Sequence, residues 1–272
     1  MSAWFITGAS RGIGRMVTEA LLARGDAVAA AVRDPDSMAE LSARYGEKLW
    51  AGRLDVRQAA EVRDVVRHAF DTFGRIDVVL SNAGYGVYAA VEELSDEQVE
   101  GIVATNLTGS INVARSALPL LREQGGGRII QMSSMAGHFG RPGFAMYHAT
   151  KWGVEGFYEA LHDEVKPFGI STTVLAPGRF ATGFYTAADR SAAHPAYASH
   201  PLIPRAPGNE QEMPGDTRLL VDLILDVAAM DDPPRRLLLG SDAYRLARDA
   251  LARRLHELDD QREIAHGTDR AG

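Results

Sequence analysis

Short apolar runs alternate with stretches of helical period along most of the chain. The runs Ala3–Thr7, Ala27–Val32, Lys48–Leu54, Asp77–Ser81, Arg128–Ser133 and Ser171–Leu175 read as strands. Each is followed by loop residues and then by a helical pattern, with apolar positions three and four apart. Helices are expected over Gly12–Arg24, Ala59–Phe73, Thr105–Leu121, Ala145–Phe168 and Thr217–Met230, with Gly25 in the place of a C-cap for the first. A seventh strand, Arg236–Leu239, precedes a helix that starts near Asp242. This alternation builds an α/β fold, a doubly wound parallel sheet covered by helices on both faces.

Two stretches break the rhythm. Residues 183–215 hold five prolines and little periodicity, too long for an ordinary connection, so they are either disordered or a lid over a site. Residues 260–272 are polar and read as a frayed tail. Everything else fits one domain, residues 1–272, a reading that the order of the motifs below favours over two small domains.

Composition narrows the chemistry. There is no cysteine among the 272 residues, which removes disulfides, thiolate catalysis and zinc-thiolate sites together. Net charge is −7 and no Lys/Arg cluster stands alone, which argues against nucleic acid as a partner. No apolar run is long enough to cross a bilayer, and the amino terminus enters strand sequence within four residues, without a basic n-region. The compartment expected is the cytoplasm, with no membrane partner. The eight histidines form no His-Glu-x-x-His or other dense ligand pattern, so no metal is expected.

Between the first strand and the first helix stands Thr7-Gly8-Ala9-Ser10-Arg11-Gly12-Ile13-Gly14. Glycines placed there allow a tight turn and let backbone N–H groups and a helix N-terminus meet a pyrophosphate. The same residues contain Gly8-Ala9-Ser10-Arg11-Gly12, which fits the Gly-x-Ser-x-Gly elbow of serine hydrolases. That elbow needs an oxyanion-hole loop from an earlier strand, and none precedes this one. A serine hydrolase acting through Ser10 predicts covalent labelling by a serine-directed phosphonate, and failure to label removes it.

Near the middle, Tyr147 and Lys151 are four apart in a helical stretch, so they share a face. A phenol titrates near pH ~10, and a neighbouring cation favours its ionised form. Read alone, the pair also describes a core tyrosine below a surface lysine, Ser134 a turn cap, and Asn106 a polar residue near a helix start. Together with the Thr-Gly-x-x-x-Gly-x-Gly spacing, however, the chain resembles the short-chain dehydrogenase/reductase family. Ser81-Asn82-Ala83-Gly84 is similar to the family's Asn-Asn-Ala-Gly, and Pro177-Gly178 with Thr182 resembles its Pro-Gly-x-x-x-Thr. The resemblance spans residues 3 to 182 in the expected order. The stretch from Tyr147 to Phe157 looks like the branch near 17β-hydroxysteroid and retinol dehydrogenases, from which Arg179 departs where glycine is expected.

The resemblance implies a Rossmann-type sheet of about seven strands in the order 3-2-1-4-5-6-7. It also implies hydride transfer between a nicotinamide dinucleotide and a carbonyl or alcohol. Carried onto this chain, Tyr147 exchanges the proton, Ser134 orients the carbonyl, Lys151 lowers the tyrosine pKa and holds the ribose, and Asn106 anchors a relay water. The cofactor would lie along Thr7, Gly8, Ser10, Arg11, Gly12, Ile13 and Gly14, then Asp55 and Val56, Asn82, Ala83 and Gly84, and Pro177, Gly178, Phe180 and Thr182. Asp55 equally suits a helix cap. Where NAD-preferring relatives keep an acid after the second strand, this chain has Val32 then Arg33, and with Arg11 it offers two guanidinium groups to a 2′-phosphate. NADP(H) is therefore expected over NAD(H), although Asp34 and Asp36 could weaken the preference, and arginines that merely decorate a solvated loop are the lesser alternative.

The segment 183–215 falls where the family keeps its substrate loop and carries Phe184, Tyr185, Tyr197, Leu202 and Ile203. With Phe139, Phe144 and Met146 it suggests an apolar ketone or aldehyde. Candidate substrate contacts are His138, Phe144, Arg179, Phe184 and Tyr185, with packing the plainer role for His138 and for His148. A homodimer or homotetramer is expected by resemblance, and a noncatalytic dinucleotide sensor or scaffold on the same fold is the alternative function.

Overall fold

The computed structural model describes residues 1–203 and 209–270. Its strands are β1 (Ala3–Thr7), β2 (Ala27–Val32), β3 (Leu49–Arg53), β4 (Val78–Ser81), β5 (Val87–Tyr88), β6 (Gly127–Met132), β7 (Ile170–Pro177), β8 (Asp189–Arg190) and β9 (Arg236–Leu239). Seven of them form one parallel sheet in the order β3-β2-β1-β4-β6-β7-β9, and β5 and β8 form a separate parallel pair. Counted along the sheet strands alone, this is the expected order 3-2-1-4-5-6-7.

The alternation of side chains along each strand explains the two helical layers. On β1, Phe5 faces a core built with Val62, Val66 and Phe70 of α3 (Ala59–Phe73), Val113 and Leu121 of α5 (Gly109–Glu123), and Val154 and Tyr158 of α6 (Ala145–Val165). Its neighbours Trp4 and Ile6 face the other core, with Val17 and Leu21 of α1 (Gly12–Arg24) and Leu220 and Ile224 of α7 (Thr217–Ala229). The order reverses between β1 and β4, and a crevice opens at the carboxyl ends of the strands there.

Departures from the expected elements have local causes. The helix expected from Thr105 begins earlier, as α4 (Asp96–Val103), because Ser95 and Gln98 form a reciprocal capping box. A π-helical turn, Ala104–Thr108, then joins it to α5. A further helix, α2 (Ala39–Tyr45), follows a turn that Asp34 caps and Pro35 opens. Pro167 ends α6 at Val165 rather than Phe168. The tail expected to fray is instead helical, through the end of α8 (Ser241–Asp260) and α9 (Arg262–His266), although solvent-exposed; its residues 271 and 272 lie outside the described residues. Of 183–215, residues 204–208 lie outside them; the rest contains β8 and two short 3₁₀ turns. Among the described residues no helix is long and apolar enough to cross a membrane.

Leu80 of β4 is fully buried at the centre of the sheet. Leu80→Ala is expected to cost about 2–5 kcal/mol in urea denaturation, through lost transfer energy and the cavity left behind.

Candidate active site

The end of β1 is clamped to the end of β4. Thr7 Oγ1 accepts from Asn82 N at 3.0 Å and Ala83 N at 3.1 Å, while Asn82 Nδ2 donates to the carbonyl oxygens of Thr7 at 3.0 Å and Gly8 at 3.2 Å. The chain then turns through Gly8 and Gly12, both at positive φ, into α1. Gly14 is required for another reason: a Cβ there would lie 2.4 Å from the Gly8 carbonyl oxygen and 2.6 Å from Asn82 Nδ2. The first turn of α1 has no side-chain cap and no acidic residue, so its N–H groups and dipole face the crevice uncompensated.

A cleft of about 660 Å³ runs from this loop to α6. Gly8, Ser10, Arg11, Gly12, Ile13, Arg33, Asp55, Val56, Asn82, Ala83, Gly84, Pro177, Gly178, Phe180 and Thr182 all line it, together with Ala31 and Val32. Thr7 and Gly14 do not: they hold the loop from behind, one as the clamp and one by close packing. Asp55 is held by Arg57, whose Nη2 lies 2.6 Å from Oδ2, and this guanidinium keeps its carboxyl below the usual range. Asp34 is drawn away into its turn, accepting from Asp36 N at 3.1 Å, and neither aspartate borders the cleft. The concave cradle, the uncompensated helix terminus and the arginines Arg11, Arg33 and Arg57 fit an elongated, anionic dinucleotide.

At the far end stand Ser134, Tyr147 and Lys151. Ser134 follows β6, accepts from Ala136 N at 3.1 Å, and acts on the Tyr147 phenol to lower its pKa. Lys151, 5% exposed, donates to the Met132 carbonyl oxygen at 2.9 Å and places its ammonium 5.6 Å from the Tyr147 ring centroid. Burial pushes the Lys151 ammonium down to about 8. In the protein by itself burial also pushes the Tyr147 phenol above its ordinary value, only partly offset by Ser134 and reinforced by Tyr185, so the phenol is not lowered as expected. Asn106 is wholly buried in the π-helical turn, behind the wall. Its Oδ1 accepts from Tyr85 N at 3.0 Å, and its Nδ2 donates to the Tyr85 carbonyl at 2.8 Å and to Thr150 Oγ1 at 3.3 Å.

The remaining wall is aromatic. Tyr88 stacks on Phe144 with centroids 4.2 Å apart, Phe144 on Tyr147 at 4.4 Å, and Phe184 lies 5.3 Å from Tyr147 and 5.4 Å from Tyr185. Tyr197 and Leu202 stay outside this wall, and Ile203 is buried elsewhere. His138 points away from the cleft, towards Glu155 at 3.8 Å, whereas His148 borders it, its Nδ1 2.8 Å from the Ala136 carbonyl oxygen. Arg179 also borders it, its backbone N–H held by Asp242 at 3.0 Å.

Comparison with known proteins agrees with this architecture. The short chain dehydrogenase family model matches residues 2–192. The chain belongs to the short-chain dehydrogenase/reductase family. It is 38% identical over 251 residues to the oxidoreductase BOA17 of Botryotinia fuckeliana, 90% of each chain, and 37% identical over 179 residues to a 3-ketodihydrosphingosine reductase of Bacteroides thetaiotaomicron, 66% of this chain and 64% of the other. Among solved structures, a short-chain dehydrogenase from Streptomyces avermitilis is 33% identical with a TM-score of 0.89 over 99% of both chains. An alcohol dehydrogenase from the archaeon Thermococcus sibiricus, complexed with 5-hydroxy-NADP, is 25% identical with a TM-score of 0.74 over 88% of this chain and 96% of its own.

This short-chain dehydrogenase/reductase is thus an oxidoreductase of a fold whose members bind nicotinamide dinucleotides. Cleft residues that sequence reasoning missed are Arg57, Tyr85, Tyr88, Arg141 and Arg245. Tyr85 and Tyr88 had a signal, since they stand one and four residues after Ser81-Asn82-Ala83-Gly84. Arg245 had none, because only the packing of α8 brings it to the cleft.

Gly14→Ala tests the cradle. The added methyl meets backbone on one side, so the loop must shift, and dinucleotide affinity measured by fluorescence titration is expected to fall about tenfold or more, with a lowered Tm.

Proposed function

We propose that this chain is an NADPH-dependent carbonyl reductase that interconverts an apolar ketone or aldehyde and its alcohol. The observation that carries the reading is the convergence of Ser134, Tyr147 and Lys151 on one wall of the cleft whose other end is the glycine loop. The residues present suit the dinucleotide, with Arg11 and Arg33 towards a 2′-phosphate and Lys151 towards a ribose. The bound dinucleotide supplies the hydride.

The protein's own residues do the rest. Ser134, already oriented by Ala136 N, donates to the substrate carbonyl oxygen and holds it beside the phenol. Tyr147 gives its proton to that oxygen as charge develops there, and in the reverse direction takes it back. A phenol that burial holds protonated suits the acid role in reduction. Lys151, buried and cationic, favours the tyrosinate left behind. Asn106, fixed by Tyr85 and Thr150, sits where a water-borne proton path would reach Lys151. The rings of Tyr88, Phe144 and Phe184 shed water and favour an apolar substrate.

Preference for NADPH draws support from the two guanidinium groups of Arg11 and Arg33 at the cleft and from the withdrawal of Asp34 into its own turn. Purified protein supplied with NADPH and a panel of apolar ketones and aldehydes is expected to lose reduced-nicotinamide absorbance. Tyr147→Phe should lower that rate by about a thousandfold while NADPH still binds; a fully active variant would falsify the mechanism. The kcat/KM with NADPH should exceed that with NADH by about tenfold or more, and Arg33→Ala should erase most of the difference. Equal efficiency with both would sink the preference.

A further inference from the structure

Helix α6 carries one more buried charge than this reaction uses. Glu155, 5% exposed, lies four residues beyond Lys151, on the helix face that also holds Tyr147. Its Oε2 accepts from Arg236 Nε of β9 at 2.5 Å, and the same guanidinium reaches Glu159 Oε2 at 3.2 Å. Its Oε1 is buried without a hydrogen-bond partner, 3.8 Å from a His138 Nε2 that is likewise buried and without one. A Cβ on Gly137 would stand 2.7 Å from Glu155 Cγ and 3.3 Å from the Lys151 carbonyl oxygen. The turn that follows Ser134 therefore rests directly on the stem of this carboxylate.

We propose that Glu155 is a positioning residue of the active site: its carboxylate keeps the buried Lys151 ammonium charged, and its stem supports the turn that presents Ser134. The role given to Lys151 rests on the reductase reading above, while the coupling itself rests on geometry. A buried carboxylate with one oxygen unsatisfied is costly, and stapling α6 to β9 does not require it, because Arg236 already pairs with the exposed Glu159 on the same helix. What its position adds is a negative charge one helical turn behind an ammonium that, among the described residues, hydrogen-bonds the Met132 carbonyl oxygen alone. The charged and titratable groups around Glu155 are Lys151 and Glu159 on its own helix, Arg236 on β9, His138 on the turn after Ser134, and Arg254 of α8 beyond His138. Burial lowers the Lys151 pKa and Glu155 opposes that, so removing its charge lowers it further, and less Lys151 stays charged above neutral pH.

The chain has only three lysines, 48, 151 and 166, so lysine labelled with carbon-13 at Cε lets Lys151 be titrated directly by NMR in the full-length protein. In Glu155→Gln the Lys151 midpoint is expected to fall by about one pH unit, with Lys48 and Lys166 unmoved and the alkaline edge of turnover falling in step. Arg236→Gln removes a cation from the other side of the carboxylate and should move the midpoint up. A purely structural staple predicts a lower Tm in both variants and no such opposed pair. An unmoved Lys151 midpoint in Glu155→Gln, or shifts of one sign in both variants, overturns the proposal. Should Glu155→Gln not fold, Arg236→Gln decides alone, an upward shift supporting the coupling and any other result overturning it. Opposed shifts in a protein that reduces no carbonyl uphold the coupling and count against the reductase reading instead.

Discussion

The seam where β1 and β4 end side by side sets the position of everything in the cleft. One threonine hydroxyl accepts two backbone N–H groups from the far strand, and one asparagine amide spans two carbonyls of the near one. Parallel strands at a switch point splay apart as their helices leave for opposite faces, and their last polar groups would otherwise lie unpaired at the mouth of the crevice. The Thr7–Asn82 clamp satisfies those groups and fixes the start of the glycine loop to within a hydrogen-bond length. Only then does the absence of a side chain at Gly14 matter, since α1 can approach Gly8 closely enough for its N-terminus to open into the cleft.

At the other end, the controlling effect is burial. Tyr147, Lys151 and Glu155 follow one another at four-residue intervals into the interior, each on the same face of α6. Burial raises the phenol's pKa and lowers the ammonium's, so both move towards their neutral forms. The protein offsets this with few partners: Ser134 for the phenol, the Met132 carbonyl oxygen for the ammonium, and the carboxylate one turn further on. A helix that displays titratable groups at this spacing couples their protonation more strongly than a surface helix would, because little solvent screens them.

The sheet, its order and the two ends of the cleft were legible in the sequence because each depends on local pattern. Apolar runs alone define strands buried on both faces, glycine at a strand-to-helix turn has a conformational reason, and Tyr147 and Lys151 share a face by helical period. What escaped depends on contacts distant in sequence. The π-helical turn at Ala104–Thr108 joins two helices where periodicity suggests one, and it is what turns Asn106 inwards to Tyr85 and Thr150. His138 stands four residues from Ser134 in sequence, yet the 3₁₀ turn between them aims it at Glu155 rather than the cleft. Thr7 illustrates the reverse case, a motif residue whose work is structural.

The aromatic end shows how such a cleft can be roofed without fixing what it accepts. The segment after Thr182 is tied down by its backbone: β8 pairs with β5, Asp189 N donates to the Gly86 carbonyl oxygen, and Gly215 N donates to that of Arg179. Arg190 adds bonds to the carbonyl oxygens of Tyr185 and Ala188 and lies 5.4 Å from the Tyr88 ring centroid. Main-chain pairing tolerates a change of side chain, so Phe184 and Tyr185 are held in place by groups that do not depend on their identity. Gly86 packs tightly here, since a Cβ on it would stand 3.0 Å from the rings of Phe144 and Phe184. Ring shape can therefore vary while the wall beneath it, anchored on α6 and β6, stays in register.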